Sequence, residues 1–265
     1  MTLPQTVTAG SAFSVPTSGT GPAVFYIVGP DQALRRDVQL GNPVSIAAGD
    51  LYNAGEYLAI LVAGSSSSSG ELEVTPAPHP DTLSFLATPS RVPVGLHNGI
   101  SGAVYVFDAY HNLIVTPMPV SFELAGASGP SQTRTITSSN GVAWTEIDSA
   151  SKQGSAKFIA QAGGIATTRV IDEVPGDPCG LTISAQPDGA KLRVQTAPVR
   201  DCSGNPIPDG TIVTFTENYN GAQTTADVPI KKDIAQIDMP AYSGATISVA
   251  SGVVAGNEIR WGGGR

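Results

Sequence analysis

The sequence predicts an all-β chain of consecutive β-sandwiches, and three features point there. Glycine and proline number 30 and 21 among 265 residues, and both break long helices. Between them run short stretches of Val, Ile, Phe and Thr that alternate apolar with polar, as half-buried strands do. A hydrophobic content of 41% is enough to bury cores, which excludes a disordered chain. Short strands with frequent turns build sandwiches, and the length suits two or three of them.

Charge narrows the function. The net charge is −8, the sequence pI is near 4.7 and only 14% of residues are charged. Nucleic-acid binding needs a basic stripe, and none is present. No window approaches the 18 consecutive apolar residues of a membrane-spanning helix. The opening MTLPQTVTAG has neither the charged nor the apolar region of a leader. Either the protein is not exported, or the sequence is a mature form given a new Met; the cysteines considered below make the second the expectation.

Residues 1–78 form the first expected unit. Within it, Gly64–Gly70 reads GSSSSSG between two strand-like runs, Tyr57–Ala63 and Glu71–Pro76. Such a serine tract is expected at a flexible hairpin tip. The proline-rich PAPHPD near 76–81 and VPGDP at 174–178 are the expected joints, since proline discourages continued pairing. They divide the chain into 1–78, 79–175 and 176–265.

The second and third units repeat one another. VYVFDAYHNLIVTPMPVSF (Val104–Phe122) aligns without gaps on APVRDCSGNPIPDGTIVTF (Ala197–Phe215). An offset of 93 pairs Val106 with Val199, Asp108 with Asp201, Asn112 with Asn205, Val120 with Val213 and Phe122 with Phe215. GVAWTEI (Gly141–Ile147) meets DIAQIDM (Asp233–Met239) at an offset of 92. Such self-similarity marks tandem modules. In each turn the Asp and Asn can hydrogen-bond nearby backbone, Gly204 permits positive φ, and Pro206 and Pro208 fix the exit. A calcium reading of Asp108 and Asp201 fails on ligand count, because calcium takes six to eight oxygens and neither turn carries D-x-D-x-D.

The stretch D-x-x-G-N-x-I-P (Asp201–Pro208) followed by VTF, and SSNGVA (Ser138–Ala143) in the middle unit, resemble the invasin/intimin-type bacterial immunoglobulin-like domains. His111 stands where the turn glycine would be, and Lys232-Asp233 where Asn-Gly would be. DLYNAGEY (Asp50–Tyr57) resembles the entry into strand F of immunoglobulin (Ig) domains, which makes Tyr57 a tyrosine-corner residue. Ala59 occupies the place of the second cysteine of an antibody-type bridge. These resemblances imply three consecutive Ig-like β-sandwich domains.

Cys179 opens the third unit and Cys202 lies in its first long turn. In the Ig-like topology that the resemblance implies, strand A runs along strand B, so the two can meet as a disulfide. The rivals are free thiols, a catalytic thiol and a zinc ligand. The third unit holds no histidine to activate a thiol, and two lone cysteines do not make a four-ligand zinc site. A disulfide implies an oxidising compartment.

The remaining chemistry is sparse. His79, His97 and His111 all fall in loops or joints, and no G-x-S-x-G, Walker or Rossmann pattern occurs. Asp172 and Glu173 precede a joint and are expected to face solvent. No catalytic residue, metal or cofactor is expected. One surface stands out: with Val104 and Val106 inward, Tyr105 and Phe107 point outward, and so does Trp144 on a neighbouring strand. Three clustered outward aromatics mark a candidate contact surface, for a protein or glycan ligand or for self-association. The rival is that another part of the chain covers them. The resemblance implies a non-catalytic, secreted or cell-surface, adhesin-like binding or spacer protein. The alternatives are a self-assembling subunit of a surface fibre, or a carbohydrate-binding or ancillary module of a secreted enzyme.

Overall fold

The computed structural model describes residues 1–126 and 130–262, so the last three residues of the third expected unit lie outside it. All regular elements among the described residues are strands. The first group comprises β1 (Thr6–Thr8), β2 (Phe13–Val15), β3 (Pro22–Gly29), β4 (Gln32–Gln39), β5 (Val44–Ile46), β6 (Gly55–Ala63) and β7 (Ser66–Thr75). These form a sheet of order β1-β7-β6-β3-β4 facing the pair β2-β5.

The second group comprises β8 (Thr82–Thr88), β9 (Arg91–Pro93), β10 (Ile100–Phe107), β11 (Pro119–Ala125), β12 (Gln132–Thr137), β13 (Val142–Ile147), β14 (Gly154–Ala162) and β15 (Ile165–Val174). Its sheets are β13-β10-β8 and β12-β11-β14-β15-β9. The third group comprises β16 (Ile183–Asp188), β17 (Lys191–Thr196), β18 (Ile212–Tyr219), β19 (Ala222–Pro229), β20 (Gln236–Pro240), β21 (Thr246–Ser251) and β22 (Val254–Arg260). Its sheets are β16-β17-β20 and β19-β18-β21-β22.

Period-two patterning builds each interior. β14 reads GSAKFIAQA, with Ala156, Phe158, Ala160 and Ala162 buried and Ser155, Lys157 and Gln161 exposed. The buried apolar residues fall into three separate clusters, one per group. In the middle cluster Phe85 meets Phe158 edge-on with ring centres 5.1 Å apart, and Phe122 lies 6.1 Å from each. The repeat residues Val106, Val120, Phe122, Val199, Val213 and Phe215 are all buried.

The groups differ at one edge. β1 pairs in parallel with β7, and β9 with β15, each covering the last three residues of its neighbour. In the third group β16 turns directly into β17, and no described strand covers β22 in that way. Instead Asn257 reaches back, its Oδ1 accepting from the Ile183 N–H at 2.7 Å and its Nδ2 donating to the Ile183 carbonyl at 3.2 Å.

Two expectations are corrected. The serine tract is strand rather than flexible tip: Ser66–Ser69 belong to β7 and pair with Ala63–Ile60 of β6. Only Gly64 and Ser65 turn the chain, with Gly64 at φ 58°. Backbone pairing decides the conformation, and serine is tolerated because the partner residues supply the ladder. Glu173 is buried, at 2% exposure, while its neighbour Asp172 is exposed. Alternation along β15 puts one residue of the pair on each face.

Candidate functional site

The two Asp-Asn turns do more than cap themselves. In the first, Asp108 Oδ1 accepts from the N–H groups of Tyr110 (2.9 Å) and Asn112 (2.8 Å). In the second, Asp201 Oδ1 accepts from Ser203 (2.9 Å) and Asn205 (2.8 Å). The other carboxylate oxygen reaches the incoming joint: Asp108 Oδ2 takes the Ala77 N–H at 2.8 Å, and Asp201 Oδ2 takes the Gly176 N–H at 3.1 Å. His111 holds φ 63° where Gly204 holds 81°, so the backbone geometry survives without glycine.

The asparagines then clasp the preceding group. Asn112 Nδ2 donates to the Tyr52 carbonyl at 2.7 Å, and its Oδ1 accepts from the Ala54 N–H at 2.8 Å. Asn205 Nδ2 donates to the Ser151 carbonyl at 2.9 Å, and its Oδ1 accepts from the Gln153 N–H at 3.2 Å. Tyr52 and Ser151 are 99 residues apart, as are Ala54 and Gln153, and Ala77 and Gly176. The receiving surface is therefore also repeated, and the first group carries one copy of it. Two glycines complete it. Gly10 (φ 74°) lies under the Tyr110 ring, and Gly95 (φ 75°) lies against Ser203. A Cβ at Gly10 would overlap the Tyr110 ring. Tyr110 also stacks on Tyr52, with centroids 6.0 Å apart and planes at 25°.

Electrostatics favour the ionised turns. Burial works to raise the carboxyl pKa of both Asp108 and Asp201, but the hydrogen bonds from asparagine and backbone N–H groups outweigh it, leaving both below the usual value. Glu173 goes the other way: burial raises it, and the single N–H donated by Ala150 at 2.6 Å offsets only part. A raised folded pKa makes its contribution to stability largest in acid and progressively lost as pH rises through that value.

Cys179 and Cys202 form a disulfide, with Cα atoms 5.0 Å apart. The Cys179 N–H also donates to the Arg200 carbonyl at 2.7 Å. The bridge thus ties the segment entering the third group to the turn that carries Asp201 and Asn205.

Tyr57 is 1% exposed, and its hydroxyl lies 2.8 Å from the Asn53 carbonyl four residues upstream. On the outer face of β13-β10-β8, Trp144 is 62% and Tyr105 37% exposed. Phe107 is half-buried. Leu86, which the sequence reading did not single out, is 60% exposed. It faces Ala103 from one side as Trp144 does from the other. His97 pairs with Asp148 at 2.8 Å on the surface, and no cluster of metal-binding side chains occurs among the described residues.

The sequence missed the clasp because its receiving atoms are mainly backbone. A repeated trace in the sequence is a glycine opening each following strand, Gly55 at φ 140° and Gly154 at φ 148°.

No protein-family model and no curated protein matches the sequence. Among solved structures, the chain superposes on InvD of Yersinia pseudotuberculosis with a TM-score of 0.56 at 13% identity, covering 98% of this chain and 96% of that one. The fold is a tandem array of Ig-like β-sandwiches. Invasin, a bacterial integrin-binding protein, matches at 12% identity and a TM-score of 0.49, across 92% of this chain and 53% of its own. The chicken CNTN1 FN1–FN3 domains match at 11% identity and 0.34, across 95% and 96%. In Ig terms the Asp-Asn turns are B–C turns, and the surfaces they grip are E–F loops.

Proposed function

We propose that this chain is a non-catalytic, adhesin-like binding or spacer protein of an extracellular or cell-surface setting. Its three cores act as three Ig-like domains with boundaries near 78/79 and 175/176. The observation that carries the reading is the duplicated clasp. In the middle domain the B–C turn grips the domain before it. The E–F loop is gripped by the domain after it. These features lie at opposite ends, because β11 starts beyond the B–C turn and pairs antiparallel with β14 so that Ala125 faces Lys157. Clasps at both ends suit a stiffened array that holds a surface away from its anchor, and the disulfide suits an oxidising compartment.

Small-angle scattering tests the spacer role. Asn112→Ala with Asn205→Ala removes both clasps, costs about 1–2 kcal/mol per joint and should broaden the distribution of maximum dimensions while leaving circular dichroism unchanged. An identical profile for the variant would sink the stiffened array. The exposed face of Leu86, Tyr105 and Trp144 is the candidate site for a protein or glycan ligand. On glycan and host-protein arrays, Trp144→Ser should abolish binding that the wild type shows. Binding that survives Trp144→Ser would place the ligand elsewhere.

A further inference from the structure

The two joints differ at one buried residue. Val74 of β7 and Glu173 of β15 are 99 residues apart and hold the same place. Each stands opposite the glycine that opens the preceding strand, Gly55 or Gly154, and beside a valine of the covering strand, Val7 or Val92. Val74 is 1% and Glu173 2% exposed. In the first domain Val74 and Leu51 belong to one apolar core, and the Leu51 carbonyl accepts from the Gly10 N–H at 2.7 Å. In the second, the corresponding Ala150 carbonyl accepts from the Gly95 N–H at 2.9 Å, and the Ala150 N–H donates to Glu173 Oε1 at 2.6 Å. Ala150 adjoins Ser151, whose carbonyl Asn205 holds, and Gln153, whose N–H Asn205 accepts, follows in the same loop. The carboxyl therefore supports, from inside the second domain, the loop that the third domain grips from outside.

We propose that Glu173 is a proton-controlled latch on the joint between the second and third domains, closing the clasp when protonated and releasing it when ionised. The proposal rests on the reading of the chain as a stiffened array, whose regulation it supplies. An ionised Glu173 would have no counter-charge. The strands on either side set Val92 and Gly154 against it. Arg91 pairs with the exposed Asp172. In the loop after β9, His97 pairs with Asp148, which also accepts from the Asn98 N–H. Lys152 of the gripped loop and Asp177 of the joint are exposed. In the gripping turn Arg200 is held by Asp233 at 2.8 Å, which leaves Asp201, of like sign. Among the described residues no Lys, Arg or His forms a salt bridge with Glu173.

A carboxylate buried without a cation is costly, and access to water relieves the cost. β15 is held on both sides, by β14 and β9, so the loop at 148–153 is the part able to move. Its withdrawal carries the Ser151 carbonyl and the Gln153 N–H away from Asn205. Burial raises the Glu173 carboxyl, and the single Ala150 N–H offsets only part. The closed joint thus holds the proton more tightly than the open one. Closure is fully favoured below the open-state pKa and is lost as pH rises through the closed-state one. The first joint, with Val74, has no such dependence. Asp108 and Asp201 are both lowered, so they act on the two joints in the same direction.

Amide hydrogen exchange of the full chain, followed by NMR and corrected for its intrinsic pH dependence, tests the latch between about pH 4 and 8. The two equivalent clasped N–H groups, Gln153 and Ala54, supply signal and internal control. In the wild type the protection of Gln153 relative to Ala54 should fall severalfold as pH rises. Glu173→Gln keeps an acceptor for Ala150 and never ionises, so its ratio should stay high and constant. Glu173→Val copies the first joint and should also give a constant ratio, which covers the case that glutamine disturbs the loop. A wild-type ratio that does not change with pH overturns the proposal. So does a pH dependence that persists in both variants, which would assign the proton to another group such as the His97–Asp148 pair. Exchange reads the clasp atoms themselves, so its outcome is separate from that of scattering. Dimensions unaffected by removing both asparagines would end the array reading, whereas a flat exchange ratio would end the latch alone.

Discussion

Asp201→Ala should destabilise the third domain by about 3–4 kcal/mol, through loss of charged hydrogen bonds and exposure of unmet donors. Asp201 is 5% exposed and Asn205 3%. The carboxylate accepts from the N–H groups of Gly176, Ser203 and Asn205 and from the Asn205 side-chain amide. Alanine leaves these donors facing one another in a space too enclosed for easy hydration. At about 4–8 °C per kcal/mol for a domain of this size, the third transition in calorimetry should fall by on the order of 15 °C. The transition of the first domain should stay in place, because none of these contacts involves it. Asp201→Asn keeps the shape and one acceptor oxygen, so about half the loss is expected. A shift under about 1 kcal/mol for Asp201→Ala would mean that the turn is held by its backbone alone.

The same variant has a pH signature. The folded pKa of Asp201 lies below its ordinary value, so its contribution is present above the unfolded pKa of about 3.9 and lost as pH falls through the folded one. The gap between wild type and Asp201→Ala should therefore be full at neutral pH and close in stronger acid. A gap that widened in acid would contradict the hydrogen-bonding account.

The contrast between what the sequence displays and what it hides follows from which atoms act. Asp108, Asn112, Asp201 and Asn205 were legible because turn chemistry is local and their spacing repeats. Their grip on the preceding domain was not, since Tyr52, Ala54, Ser151 and Gln153 meet the two asparagines through backbone atoms. Any side chain can offer those atoms. Glu173 was misplaced because adjacent acids invite a solvent reading, while strand alternation sends one of each pair inward. The outward set of β3 and β6 (Val24, Tyr26, Val28, Leu58, Ile60 and Val62) was hidden for a related reason. AVFYIV and YLAILVA read as strands, yet an unbroken apolar run says only that both sides of the sheet are apolar. Register had to be known before the outward set could be compared across domains.

Replacing both Cys179 and Cys202 with Ala should cost the third domain about 3 kcal/mol in the chain-entropy account, for two residues separated by 23 in sequence. Both cysteines are exposed, so a mild reductant should produce the same loss in the wild type and no change in the double variant. The effect should extend to the joint. The bridge holds the strand entering the domain against the turn, next to the Cys179 N–H bond to Arg200 and the Asp201 grip on Gly176. Limited proteolysis between residues 174 and 182 should therefore accelerate on reduction, while cleavage near residues 76–81 should not. Equal acceleration at both joints would mean that the sulfurs stabilise the chain globally rather than pinning one junction. Failure of reductant to lower the third transition would show that hydrogen bonds alone fix the turn. The domain would then retain its stability in a reducing compartment, and the physical case for an extracellular setting would lose its main support.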